Sequence, residues 1–142
     1  MKSIFTFFVL ISLILTPQIL ANDTKPKEGI IWHKDLNVAF TLAKKEQKNI
    51  MLMVEDEFCR WCVKMKKNTL SNTEVKEALH SFILVKVDRN DNKNMESLEG
   101  LRGPIPSFHF FTPEKKRIDK IAGYYQSEDF LGYIKEVIED LE

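Results

Sequence analysis

Cys59 and Cys62 are the two cysteines of this 142-residue sequence, standing three positions apart as Cys59-Arg60-Trp61-Cys62. A bridge closing so short a loop restrains the unfolded chain very little, so the pair is a poor structural staple. Its natural chemistry is thiol–disulfide exchange, in which a thiolate attacks a disulfide sulfur through a mixed-disulfide intermediate. Such a site needs one accessible sulfur of lowered pKa and a second sulfur within reach to resolve the intermediate. A Cys-x-x-Cys pair at a helix start supplies both. Cys59, read as the first helical residue, faces unpaired backbone N–H groups and the positive end of the helix dipole, which favour the thiolate. Cys62 lies one turn further in and more buried. Cys59 is the expected attacking sulfur and Cys62 the resolving one, and exchange between them requires no cofactor.

The residues around the pair pull its redox poise in both directions. Arg60 stabilises the thiolate and so favours the reduced form, while Glu55, Asp56 and Glu57 oppose it. Lys64, Lys66 and Lys67 read as a solvated helix face, and the three acids as solvated loop residues. Phe58 and Trp61 bracket the cysteines, and an exposed Trp61 is a candidate substrate contact. Zinc binding by the cysteines with His33, His80 and His109 lacks the required spacing, because no second Cys-x-x-Cys or paired-histidine module is present. Haem attachment requires a histidine directly after the second cysteine, where Val63 stands. No metal is expected. Basic and acidic residues number 21 each, so no positive excess drives binding to phosphate backbones, and nucleic acid is excluded as a partner.

The elements that must position the pair are legible in hydrophobic period. Leu36, Ala39, Phe40 and Ala43 recur at helical spacing after Asp35. Ile50-Met-Leu-Met-Val54 is short and continuously apolar, as a strand covered on both faces would be. It runs through Glu55–Phe58 into the helix carrying the cysteines. Ser71 and Glu74 form a capping box for a helix over 72–80 with Val75, Ala78 and Leu79 inward. Phe82–Val87 is a second strand, followed by a polar stretch with one helical turn at Met95–Leu98. Ser107–Phe111 and Arg117–Ile121 form a hairpin. Ser127 caps a last helix whose apolar face is Phe130, Leu131, Ile134, Val137, Ile138 and Leu141. Trp32, Phe40, Phe82, Phe108, Phe110 and Phe130 are expected in the core.

At the N-terminus, Lys2 precedes an apolar run from Ile4 to Leu15 broken only by Thr6 and Ser12, then Pro17 and Ile-Leu-Ala21. That order is a secretory signal, with cleavage expected after Ala21. The run is shorter than the roughly 20 residues that span a bilayer. The expected organisation is a signal peptide over 1–21, a linker over 22–31 and one domain over 32–142, exported to the periplasm, where disulfides persist.

The sequence resembles the thioredoxin superfamily, and more narrowly its exported members and the C-terminal domain of the membrane thiol:disulfide interchange reductase. The likeness rests on the apolar strand Ile50–Val54, then Phe58-Cys-Arg-Trp-Cys62, Asn68–Val75 and Leu84–Asp88. It continues through Gly103-Pro-Ile-Pro-Ser-Phe-His-Phe-Phe111 and Ile121-Ala-Gly-Tyr124. It implies an α/β thioredoxin fold, a central mixed β-sheet flanked by helices on both faces. It also implies that Pro106 is cis and shapes a substrate groove, and that Ile105 offers backbone hydrogen bonds to an extended substrate. Thioredoxins proper carry a buried acid six residues before the first cysteine, and here that residue is Met53; the alternative to solvated loop acids is that one of Glu55, Asp56 and Glu57 substitutes through water as a base for Cys62. The implied activity is a monomeric, exported oxidoreductase acting on disulfides or thiols of protein substrates and recycled by a membrane redox partner. The other reading is a peptide-binding chaperone or adaptor of the same fold with its cysteines locked.

Overall fold

A computed structural model describes residues 29–140. The expected signal segment, most of the linker, and Leu141 lie outside the described residues. The apolar run at Ile50–Val54 lies within strand β2 (Asn49–Glu55), paired in parallel with β3 (Phe82–Asp88) and antiparallel with β4 (Ser107–Phe111). Ile50, Leu52 and Val54 join one hydrophobic cluster and Met51 and Met53 the other, so both faces of β2 are covered. This is why its sequence does not alternate. Beyond β4 lies β5 (Arg117–Ala122), and β1 (Trp32–His33) pairs in parallel with β3, giving the order β1-β3-β2-β4-β5.

On one face α1 (Leu36–Glu46) buries Leu36, Ala39, Phe40 and Ala43 against Ile50, Leu52, Val54, Ile83, Val85 and Val87. Asp35 caps it, its Oδ1 accepting the N–H groups of Asn37 at 2.7 Å and Val38 at 3.1 Å. The Val38 and then the Asn37 bond hold the Asp35 carboxyl below its ordinary pKa, because both favour the ionised form. On the other face lie α2 (Arg60–Lys64), a π-helical turn (Met65–Thr69), α3 (Thr73–Leu79) and α5 (Ser127–Glu139). Their inward residues, Cys62, Met65, Val75, Leu79, Phe130, Ile134 and Val137, close on Met51, Met53, Phe108 and Phe110.

Three local expectations are corrected. The cap of α3 is Asn72, whose Oδ1 accepts the N–H groups of Glu74 at 2.9 Å and Val75 at 3.1 Å. Ser71 instead donates to the Lys67 carbonyl, because it still belongs to the turn that ends the preceding helix. Ser127 is the first residue of α5, with Gln126 at the cap position and making no side-chain cap; the Ser127 hydroxyl donates to the Asn68 carbonyl at 3.3 Å. The short helix after β3 is α4 (Asn92–Glu96), started by Asp91, whose Oδ1 accepts the Asn94 N–H at 3.2 Å. Local capping by Asp91 moved this turn upstream of the Met95–Leu98 position that the apolar residues suggested. Of the expected core aromatics, Trp32 is only half-buried; the other five are buried.

Candidate active site

β2 ends at Glu55, and the loop Asp56–Phe58 delivers Cys59. Asp56 orders this loop. Its Oδ1 accepts the Phe58 N–H at 2.8 Å, its Oδ2 accepts from the Asn90 amide at 3.1 Å, and its carbonyl accepts the Cys59 N–H at 3.2 Å. Cys59 is the cap of α2 rather than its first residue, with φ −77° and ψ 100°, and its Sγ accepts the Cys62 N–H at 3.1 Å. The sulfur thus takes the place that a serine or aspartate oxygen fills at an ordinary helix cap. A backbone N–H aimed at that sulfur stabilises negative charge on it, as charge-assisted hydrogen bonds do. Cys59 and Cys62 form a disulfide with Cα atoms 5.2 Å apart. Cys59 is half-buried at the surface, whereas Cys62 is 0% exposed and belongs to the core.

The three acids before the pair, expected to be equivalent, have separate fates. Glu57 is exposed. Asp56 holds the loop. Glu55 turns inward and its Oε2 pairs with the Lys66 ammonium. The signal for Glu55 was available as strand parity, since residues two apart share a face, and Glu55 follows the buried Met51 and Met53. The lysines divide likewise, correcting the reading of one solvated face. Lys64 lies over the rings of Trp61 at 5.0 Å and Tyr124 at 4.4 Å, Lys66 is paired, and Lys67 is exposed. The Trp61 and Tyr124 rings contact with centroids 5.6 Å apart. Trp61 is 56% exposed and Phe58 84%, so two aromatic surfaces flank the disulfide. Tyr124 was not singled out; its position directly after Gly123 at the end of β5 was the available cue.

The Ile105–Pro106 peptide bond is cis. Register places this segment: Ser107 pairs with Val54, so Pro106 stands across from the end of β2 that leads to Cys59. Pro106 is buried and its carbonyl accepts the Gly123 N–H at 2.8 Å. Ile105 is half-buried and packs against both hydrophobic clusters, sharing one of them with Cys59 and Cys62. Behind it, the Ser107 hydroxyl and His109 Nε2 are 3.0 Å apart in a buried hydrogen bond. His109 is 3% exposed. Burial, then the positive charges of Arg117 and Lys120, push its pKa down to about 4. Sequence reasoning missed this pair, although polar residues at positions 107 and 109 of an otherwise apolar strand were the sign. His33 on β1, His80 at the end of α3 and His109 on β4 are not brought together with the cysteines, and among the described residues no cluster of three or more His, Cys, Asp or Glu is arranged to hold a metal.

A thioredoxin from Thermus thermophilus superposes with a TM-score of 0.68 at 22% identity, covering 78% of this chain and 88% of that one. The five-stranded mixed sheet with helices on both faces is therefore a thioredoxin fold. Spermatogenesis-associated protein 20 of Mus musculus is 32% identical over 84 residues, which is 58% of this chain and 10% of that protein. Thiol:disulfide interchange protein DsbD of Vibrio vulnificus (strain CMCP6) is 25% identical over 109 residues, 73% of this chain and 18% of that protein. The chain thus spans a tenth to a fifth of the length of these curated relatives. The Cys-x-x-Cys pair of this chain stands just beyond the end of the central strand of that fold. The family model Thioredox_DsbH, described as a protein of unknown function, DUF255, matches residues 16–132, and with this fold and cysteine pair the chain belongs to that family.

Proposed function

We propose that this protein is an exported thiol:disulfide oxidoreductase that reduces disulfides in periplasmic protein substrates. The observation that carries the reading is the asymmetry of the pair: a surface Cys59 whose sulfur receives a backbone N–H, against a fully buried Cys62. In the reducing direction, the Cys59 thiolate attacks a substrate disulfide, forming the Cys59–substrate bond and releasing one substrate thiolate. Cys62 then attacks Cys59 Sγ, forming the intramolecular disulfide and releasing the second substrate thiolate. The two electrons gained by the substrate sulfurs come from the two cysteine sulfurs. Solvent protonates the released thiolates.

Phe58 and Trp61 supply apolar contact area on either side of the exposed sulfur, and the Ile105–Pro106 segment forms the opposite wall of the groove, with Ile105 bonding substrate backbone. The likeness to an interchange protein supports protein thiols as substrates, and a membrane redox partner returns the pair to its reduced form. The chain acts as a monomer, and its signal at residues 1–21 directs it to the periplasm.

Equilibration of the mature protein in defined thiol buffers tests the direction. A potential near the roughly −270 mV of thioredoxin supports a reductase, and one near the roughly −120 mV of the strongly oxidising periplasmic donor reverses the direction. Cys62→Ser is expected to accumulate a mixed disulfide with substrate and Cys59→Ser to abolish exchange. Failure of the wild type to exchange leaves a peptide-binding adaptor.

A further inference from the structure

The resolving sulfur poses a problem that the rest of the site does not solve. Cys62 is 0% exposed, so bulk water cannot reach it to take its proton when it attacks the mixed disulfide. Met53 faces the same cluster as Cys62 and is itself 0% exposed, and it offers no acceptor. A buried thiol without an acceptor stays protonated, because burial disfavours the thiolate.

Two residues beyond Met53 on the same face of β2 stands Glu55, whose side chain is 17% exposed and whose carboxylate pairs with Lys66. Lys66 lies four residues after Cys62 on one continuous helical run, so the two share a helix face. The Lys66 end of the pair therefore lies about one turn beyond the resolving cysteine on the helical run. The pair also borders a cleft of about 430 Å³ whose lining includes Glu55 and Lys66, which gives the pair access to solvent.

We propose that Glu55 is the proton acceptor for Cys62 in the resolving step and that Lys66 is its positioning partner. The assignment rests on the exchange reading above. In the step, the Cys62 proton passes to the Glu55 carboxylate. The Cys62 sulfur forms its bond to Cys59 Sγ as the Cys59–substrate bond breaks, and the substrate sulfur leaves with the electron pair as a thiolate. Glu55 later returns the proton to solvent. The charge balance explains why a lysine belongs there. Before transfer the set is a carboxylate, an ammonium and a thiol; after it, a carboxylic acid, an ammonium and a developing thiolate. Lys66 faces one negative charge before and after the proton transfer, until the substrate thiolate carries that charge away, so the transfer itself leaves the pair's charge compensated.

The test is a single turnover of the reduced full chain with a peptide disulfide built from two distinguishable halves, acid-quenched and read by mass for the mixed disulfide, between pH 5 and 9. Glu55→Gln, which keeps the shape and removes the base, is expected to lengthen the mixed-disulfide lifetime about 100-fold at neutral pH, a size ordinary for loss of a general base. The gap closes as pH rises and hydroxide takes over, and formation of the intermediate by Cys59 stays within about twofold. Glu55→Asp recovers part of the rate, and Lys66→Met slows resolution and shifts its pH profile. Glu57→Gln, an exposed neighbour, leaves the lifetime unchanged. A lifetime and pH profile in Glu55→Gln equal to wild type overturn the assignment alone, whereas a wild-type chain that forms no mixed disulfide overturns the exchange reading and the assignment with it.

Discussion

His109 stores an acid-sensitive part of the stability on β4, three residues after Pro106. It stands two residues after Ser107, to which its Nε2 is bonded at 3.0 Å, and its Nδ1 meets no partner among the described residues. Protonation would create a buried N–H with nothing to receive it, beside the charges of Arg117 and Lys120. The ring accordingly protonates at about 4 in the folded chain, against 6.5 when free. Between those values the unfolded chain binds the proton and the folded one does not, so stability is full above 6.5 and is lost as pH falls toward 4. Linkage over that interval gives about 2 kcal/mol lost by pH 5 and about 3 kcal/mol by pH 4, at roughly 1.4 kcal/mol per pKa unit. The assay is urea unfolding, followed by tryptophan fluorescence, of wild type and His109→Gln from pH 4 to 7.5. Carboxylates titrate in both proteins, so their difference isolates the imidazole. The stability gap between the two should narrow by about 3 kcal/mol from pH 7 to pH 4. Parallel curves, with the gap constant to within about 0.5 kcal/mol, would refute the claim that His109 is buried neutral.

Three further substitutions separate structural from functional contributions. Asn72→Ala removes the observed cap of α3 and is expected to cost about 1 kcal/mol, whereas Ser71→Ala, which removes a hydroxyl bond to a carbonyl in the preceding turn, stays within about 0.5 kcal/mol in the same denaturation assay. Trp61→Ala removes the exposed ring beside the disulfide. It is expected to lower kcat/KM about tenfold for a protein disulfide, equivalent to about 1.4 kcal/mol of contact, while exchange with a small disulfide stays within about twofold. Equal losses with both substrates would place the effect at the cysteines rather than in the groove.

What the sequence made legible follows from how strongly each feature is written in period or composition. The two faces of β2, the inward faces of α1 and α5, and the hairpin of β4 and β5 are all encoded by apolar spacing, and all lie where that spacing places them. The Cys-x-x-Cys pair needed no more than its position between a buried strand and an amphipathic run. The misplaced features turn on single polar atoms. Ser71 and Asn72 are both competent caps, and the choice falls to Asn72 because the π-helical turn ends at Thr69 and leaves Ser71 within the closing turn. No propensity of either residue contains that information. Strand β1 has two residues, too few for any period, and it exists because the edge of β3 offers it a partner.

The electrostatics of the site were hidden for a different reason. Glu55, Asp56 and Glu57 are three acids in a row, and charge alone makes them equivalent. Geometry separates them: Glu55 inherits the inward parity of Met51 and Met53, Asp56 sits where the chain leaves the strand and must satisfy its own loop, and Glu57 has neither constraint. The same holds for Lys64 and Lys66, two residues apart on a helix and therefore facing about 200° away from each other. One lies against Trp61 and Tyr124, and the other against Glu55. A short helix thus divides its cations between an aromatic pair and a strand-end carboxylate, and the division follows from where the strand face and the aromatic pair meet it, not from the count of lysines.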